Sequence, residues 1–187
     1  YYVFDKNGSF TFEFVDRAGN KGTAIATVTW IDKDAPSVYV EYSTTKLTNQ
    51  SVTATLKGLE EGDIIISEGG DTHTFTSNGS FEFIAVDALG NESRITATVN
   101  WIDKDAPTAT VEYDIKSWTN GQVTATLVNP SEDITITNTT DGSNTVVFNE
   151  NGSFTFEFVD KVGNKGSATA EVNWIDKVAP TADIQYD

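Results

Sequence analysis

The chain has 187 residues with 28 acidic and 12 basic side chains, a net charge of -16, one histidine, and neither cysteine nor methionine. No positive stripe exists to displace counterions from a phosphate backbone, which excludes nucleic acid as a partner. The absence of cysteine rules out a disulfide scaffold and any thiolate metal site, so each folded part must be held by apolar core alone.

The first predicted element is Phe10 to Phe14, where aromatic residues alternate with Thr11 and Glu13 as in a strand with one buried face. Asp16-Arg17-Ala18-Gly19-Asn20 follows and suits a tight hairpin, since glycine accepts the positive φ of the bend. Ala26, Val28 and Trp30 then share a face, which predicts a second strand with Trp30 in the core. The next strands are expected near Val38 to Tyr42, Val52 to Leu56, Asp63 to Ser67, Thr72 to Thr76, Phe81 to Val86 and Ile95 to Ile102. No helical period of useful length interrupts them. No transmembrane run is visible, so this segment is expected not to insert into a membrane.

The opening pattern then recurs. Asn-Gly-Ser-Phe starts at Asn7, Asn78 and Asn151, and the tryptophans Trp30, Trp101 and Trp174 are spaced by 71 and 73 residues. Such a period marks a tandem array. Residues 1–36 are read as the C-terminal part of one repeat, 37–107 and 108–180 as complete repeats, and 181–187 as the start of another. On this reading the chain is a window on a longer array. Short strands at regular intervals predict an all-β fold with one antiparallel sandwich per repeat. Asp-Lys-Asp-Ala-Pro closes the first two repeats (32–36 and 103–107) and Asp-Lys-Val-Ala-Pro the third (176–180), and the proline of each restricts the linker.

Phe-Val-Asp-Arg-Ala-Gly-Asn-Lys-Gly, followed by a Thr/Ala/Val strand and Asp-Lys-Asp-Ala-Pro, resembles the bacterial immunoglobulin-like repeats of multidomain surface and secreted proteins. The resemblance covers essentially the whole chain. It implies tandem immunoglobulin-like β-sandwiches in an extracellular bacterial protein, serving as spacers between a wall anchor and a distal adhesive or catalytic head. Partners implied are the neighbouring repeats, with cell-wall, host or glycan contacts left to other domains.

Candidate chemistry is sparse. His73 has Tyr2 and Val146 as counterparts, and with no cysteine or second histidine it is read as a strand residue. Glu60 with Glu61 is an ordinary acidic loop pair, and no catalytic function is expected. Trp118 aligns with Leu47, either as a larger plug for the same pocket or as a private surface contact. The Asn-x-Ser/Thr triplets at Asn7, Asn49, Asn78, Asn91, Asn138 and Asn151 are read mainly as turn chemistry. The linker acids carry more. Asp32 with Asp34, and Asp103 with Asp105, could reach a hard cation such as calcium through carboxylate oxygens. In a chained sandwich Asp87 and Asn91 would approach the first pair and Asp160 and Asn164 the second, with Glu60 or Glu61 and Glu132 or Asp133 closing the sites. The alternative is that each Asp caps its own turn. Val178 replaces the second acid in the third linker.

The chain therefore reads as a non-catalytic spacer. A glycan- or protein-binding adhesion module, or a filament subunit completed by strand donation, stands as the alternative. Six strands in strict up-and-down order would return both termini to one pole, so either a seventh strand in 44–50 or a connection crossing between sheets is needed.

Overall fold

A computed structural model describes residues 1–186, and they form an all-β structure of five small antiparallel sheets. The chain divides into two compact units, one of Tyr1–Thr44, Val52–Phe75 and Gly79–Val99, the other of Thr45–Ser51, Thr76–Asn78 and the residues from Asn100 onward.

In the first unit, β1 (Gly8–Val15) and β2 (Lys21–Val28) make a two-stranded sheet. β3 (Tyr39–Tyr42), β4 (Val52–Lys57) and β6 (Thr72–Phe75) form a second sheet in the order β3-β4-β6. β5 (Ile64–Ile65), β7 (Gly79–Val86) and β8 (Glu92–Val99) form a third in the order β5-β7-β8. The period of two is what fills the core: Val52, Ala54, Leu56 and Phe75 are buried from one sheet, and Phe83, Ala85, Ala97 and Val99 from the other.

The second unit repeats this wiring. β9 (Thr110–Tyr113), β10 (Val123–Val128) and β12 (Thr145–Phe148) pair as β9-β10-β12, while β11 (Thr135–Ile136), β13 (Gly152–Val159) and β14 (Lys165–Val172) pair as β11-β13-β14. Val123, Ala125, Leu127 and Phe148 meet Phe156, Phe158, Ala170 and Val172 in one cluster, so both sheets close on a single core. A 3-10 turn at Thr140–Gly142 lies in the link from β11 to β12.

The direction of the chain through this unit follows from its pairing. β9 is antiparallel to β10 and β10 to β12, so β9 and β12 run alike. Residues 149–151 span at most about 10 Å, far less than the length of β13, so the chain reverses between β12 and β13. β14 is antiparallel to β13 and therefore runs with β9. The first and last strands thus share a direction, and the chain enters the unit at one end and leaves at the other. Of the two expected ways out of the parity problem, a connection crossing between the sheets is present, from β11 to β12. The segment expected to hide a seventh strand contributes one residue, since Thr48 makes a parallel bridge with Ile102, as Thr119 does with Ile175.

Two sequence expectations about burial are corrected. The tryptophans do not continue the buried face. β8 and β14 end at Val99 and Val172, after which Ile102 and Ile175 enter the core while Trp101 and Trp174 are half-buried and Trp30 is 74% exposed. Trp174 packs edge-on against Tyr113 and donates its Nε1–H to the Ile115 carbonyl at 3.0 Å. The aromatic face of β1 is also open. Phe12 and Phe14 are 37% and 55% exposed, whereas Phe156 is 0% exposed, because burial requires an opposing sheet that β1 and β2 lack among the described residues.

Candidate metal centre

The hairpin Asp160 to Asn164 is built by its own side chains. Asp160 Oδ1 accepts from the N–H groups of Val162, Gly163 and Asn164 at 2.8, 2.7 and 2.8 Å, and Oδ2 accepts from Asn164 Nδ2 at 2.7 Å. Gly163 takes φ 94°, which is why glycine stands before the asparagine. Asp16 and Asp87 cap their turns in the same way, with Asn20 and Asn91 as side-chain partners at 2.8 and 2.7 Å. These hydrogen bonds stabilise the ionised carboxyl. Asp160 is only 7% exposed, so burial pushes its pKa upward, but the bonds from Asn164, Val162 and Gly163 outweigh this and hold it below the usual value.

The same asparagine reaches the segment that follows the previous strand pair. Asn164 Nδ2 donates to the Asp103 carbonyl at 3.1 Å, and Asp103 N–H donates to the Thr48 carbonyl at 2.8 Å. This fixes the Asp103 backbone. Carboxylate oxygens of Asp103, Glu132 and Asp160 then lie within 4.8 Å of one another, the first two half-buried and the third buried. Glu132 registers the crowding: burial raises its pKa, and the charges of Asp103, Asp160, Asp105 and Asp133 raise it further. The nearby cation is engaged mainly elsewhere, since Lys161 Nζ pairs with Asp133 at 2.5 Å and attracts Glu132 only secondarily. Three hard oxygen donors with surplus negative charge suit a divalent cation, although Asp160 Oδ1, already taken by three N–H groups, leaves Oδ2 as the freer donor.

The first unit carries the corresponding residues in a looser form. Asn91 Nδ2 reaches the Asp32 carbonyl at 3.4 Å and Asp87 caps its turn, yet the carboxylates of Asp32, Asp87 and the glutamates do not converge as the trio does. Glu60 and Glu61 are both exposed, and Gly62 at φ 100° stands where Asp133 follows Glu132. Asp34 and Asp105 lie outside the trio. Their N–H groups donate to Asp32 Oδ1 at 3.0 Å and Asp103 Oδ1 at 3.1 Å, and Val178 N–H does the same to Asp176 at 2.8 Å. This local turn therefore forms with or without a second acid.

His73 and Trp118 are not members of this cluster. His73 stacks on Phe81 with ring centroids 4.0 Å apart and meets Phe75 edge-on. Trp118 is 73% exposed and Leu47 is exposed too, so neither plugs a pocket. One device was not anticipated as such. Asn78 Nδ2 donates to the Ile102 carbonyl and its Oδ1 accepts the Ile102 N–H, both at 2.8 Å. Asn7 clamps Ile31 and Asn151 clamps Ile175 in the same way. The constant offset of 24 residues between asparagine and isoleucine was the available signal.

No protein-family model and no curated protein matches the chain. Among solved structures, the chain is similar to one described as giving structural insight into host cell surface retention of a 1.5-MDa bacterial ice-binding adhesin, at 16% identity over 86% of this chain and 71% of that one, with a TM-score of 0.37.

Proposed function

We propose that the chain is a non-catalytic spacer of tandem immunoglobulin-like sandwiches in a bacterial surface or secreted protein, displaying an adhesive or catalytic domain carried elsewhere. The observation that supports it is the shared direction of β9 and β14. A unit entered at one end and left at the other can be chained into an extended array, and the recurrence of one wiring in 37–107 and 108–180 is what an array of equal units requires. The immunoglobulin-like reading is supported by two three-stranded sheets, the link from β11 to β12 that crosses between them and a parallel bridge beside β14.

The reading extends to calcium at Asp103, Glu132 and Asp160, supported by the mutual reach of their carboxylates. Residues 108–187 expressed alone are expected to give a β-rich circular dichroism spectrum and no turnover in a hydrolase panel. Carboxylate-dependent turnover would overturn the functional class. For the whole chain, millimolar calcium is expected to raise the melting temperature by mass action. If melting does not move, the acids are turn caps and the spacer is calcium-independent.

A further inference from the structure

The chain contains four Asn-Gly pairs, at Asn7, Asn78, Asn120 and Asn151. In three of them the asparagine side chain is the clamp described above, and the glycine is the first residue of a strand: Gly8 of β1, Gly79 of β7 and Gly152 of β13. The fourth differs. Asn120 lies in the exposed turn before β10, and its side chain has no hydrogen-bond partner among the described residues. Gly121 belongs to no strand, and its N–H donates only to Thr119 Oγ1 at 3.0 Å, a contact that water can replace.

We propose that Asn120 is the site of selective spontaneous deamidation in the folded protein, and that the clamps to Ile31, Ile102 and Ile175 protect the other three pairs. In the reaction hydroxide takes the Gly121 N–H proton, the nitrogen attacks Asn120 Cγ to form a C–N bond, and the Cγ–Nδ2 bond breaks as the side-chain nitrogen takes a proton from water and leaves as ammonia, returning the hydroxide. Water then opens the cyclic imide to aspartate or, through the other carbonyl, to isoaspartate. No electron transfer is involved, and glycine favours the step because no side chain obstructs the nitrogen.

At a clamped asparagine the same step requires Cγ to swing away from the isoleucine backbone, breaking two hydrogen bonds, and the following peptide to leave its place at the strand end. The equivalent of Asn120 in the first copy supplies an internal comparison. Asn49 precedes Gln50, whose side chain obstructs attack, and Asn49 is itself bonded to Asn164 and Gln50. Reactivity at this turn is thus confined to one of the two copies.

Position makes the modification consequential. Thr119 N–H donates to the Trp174 carbonyl at 3.1 Å and the Thr119 carbonyl accepts from Asp176 N–H at 2.8 Å. An isoaspartate inserts one extra backbone carbon directly after this bridge, so ageing would loosen the segment in which Ile175 is buried.

The test is to incubate the intact chain at mildly alkaline pH and 37 °C and follow each pair by peptide mapping for acid and isoaspartate. Asn120 is expected to convert first, with Asn78 and Asn151 at least about tenfold slower, as expected when two hydrogen bonds must open before reaction. Asn7 should fall between, because its hairpin is the most exposed of the three. In strong denaturant the four rates should converge. Equal rates in the native chain, or a ranking that persists in denaturant, would overturn the proposal.

Discussion

At the scale of single residues, the acidic trio shows how neutral partners and like charges act on the same chemical group. Asp160 is held ionised by donors from its own hairpin, whereas Glu132 faces Asp103 and Asp160 with its pKa raised by burial and repulsion. The signs are opposite. A carboxyl with a raised folded pKa costs stability at neutral pH, and the cost fades as both folded and unfolded chains become protonated. Glu132→Gln is therefore expected to raise the melting temperature of the calcium-free chain at pH 7 while removing most of any calcium-induced rise. Asp105→Asn, outside the trio, should only weaken the calcium response. Parallel melts with chelator and with calcium check both variants, and an unchanged calcium response in Glu132→Gln would remove Glu132 from the ligand set.

At the scale of elements, two of the three long hairpins, β7–β8 and β13–β14, solve one packing problem with different pairs. Phe158 lies opposite Gly166 in β13 and β14, whereas Ala85 lies opposite Ser93 in β7 and β8. A large ring on one strand is matched by an absent side chain on the other. At Gly166 an added Cβ would sit 2.4 Å from Phe158 Cε2 and 2.1 Å from the Pro107 carbonyl, and backbone cannot swing aside as a side chain can. Gly166→Ala is expected to cost about 1–3 kcal/mol or more through overpacking, while Ser93→Ala stays within about 0.5 kcal/mol. Urea melts of both variants decide it. Equal costs would show that pair size does not control this edge. Neither the place of this glycine in a strand nor its contact with Pro107 is legible in the sequence, because the alternation starts only at Ala168 and the two positions are distant along the chain.

At the scale of the whole molecule, acid should unfold the protein through the hairpin carboxylates. Asp16, Asp87 and Asp160 have folded pKa values below their ordinary ones, mainly through bonds from Asn20, Asn91 and Asn164, with burial opposing. A lowered pKa contributes stability that is complete above the unfolded value and is lost as pH falls through the folded one. At about 0.15 M salt, where repulsion among the excess acids is screened, the urea midpoint should hold down to about pH 5 and fall below about pH 4. A midpoint that rises steadily on acidification would show that relief of self-repulsion dominates. Sequence by itself determined the all-β class, the period, the Asp-x-x-Gly-Asn hairpins and most strand positions, because side-chain alternation and turn chemistry act between near neighbours. Tertiary structure decided that Ile102 and Ile175 rather than the tryptophans enter the core, since the strands end just before them and an asparagine fixed 24 residues earlier turns the chain. It also decided that Glu132 rather than Asp133 joins Asp103 and Asp160, and that Asp105 stays outside. That choice depends on where Lys161 draws Asp133 and where Asn164 holds the Asp103 carbonyl, contacts between distant segments that no local pattern encodes.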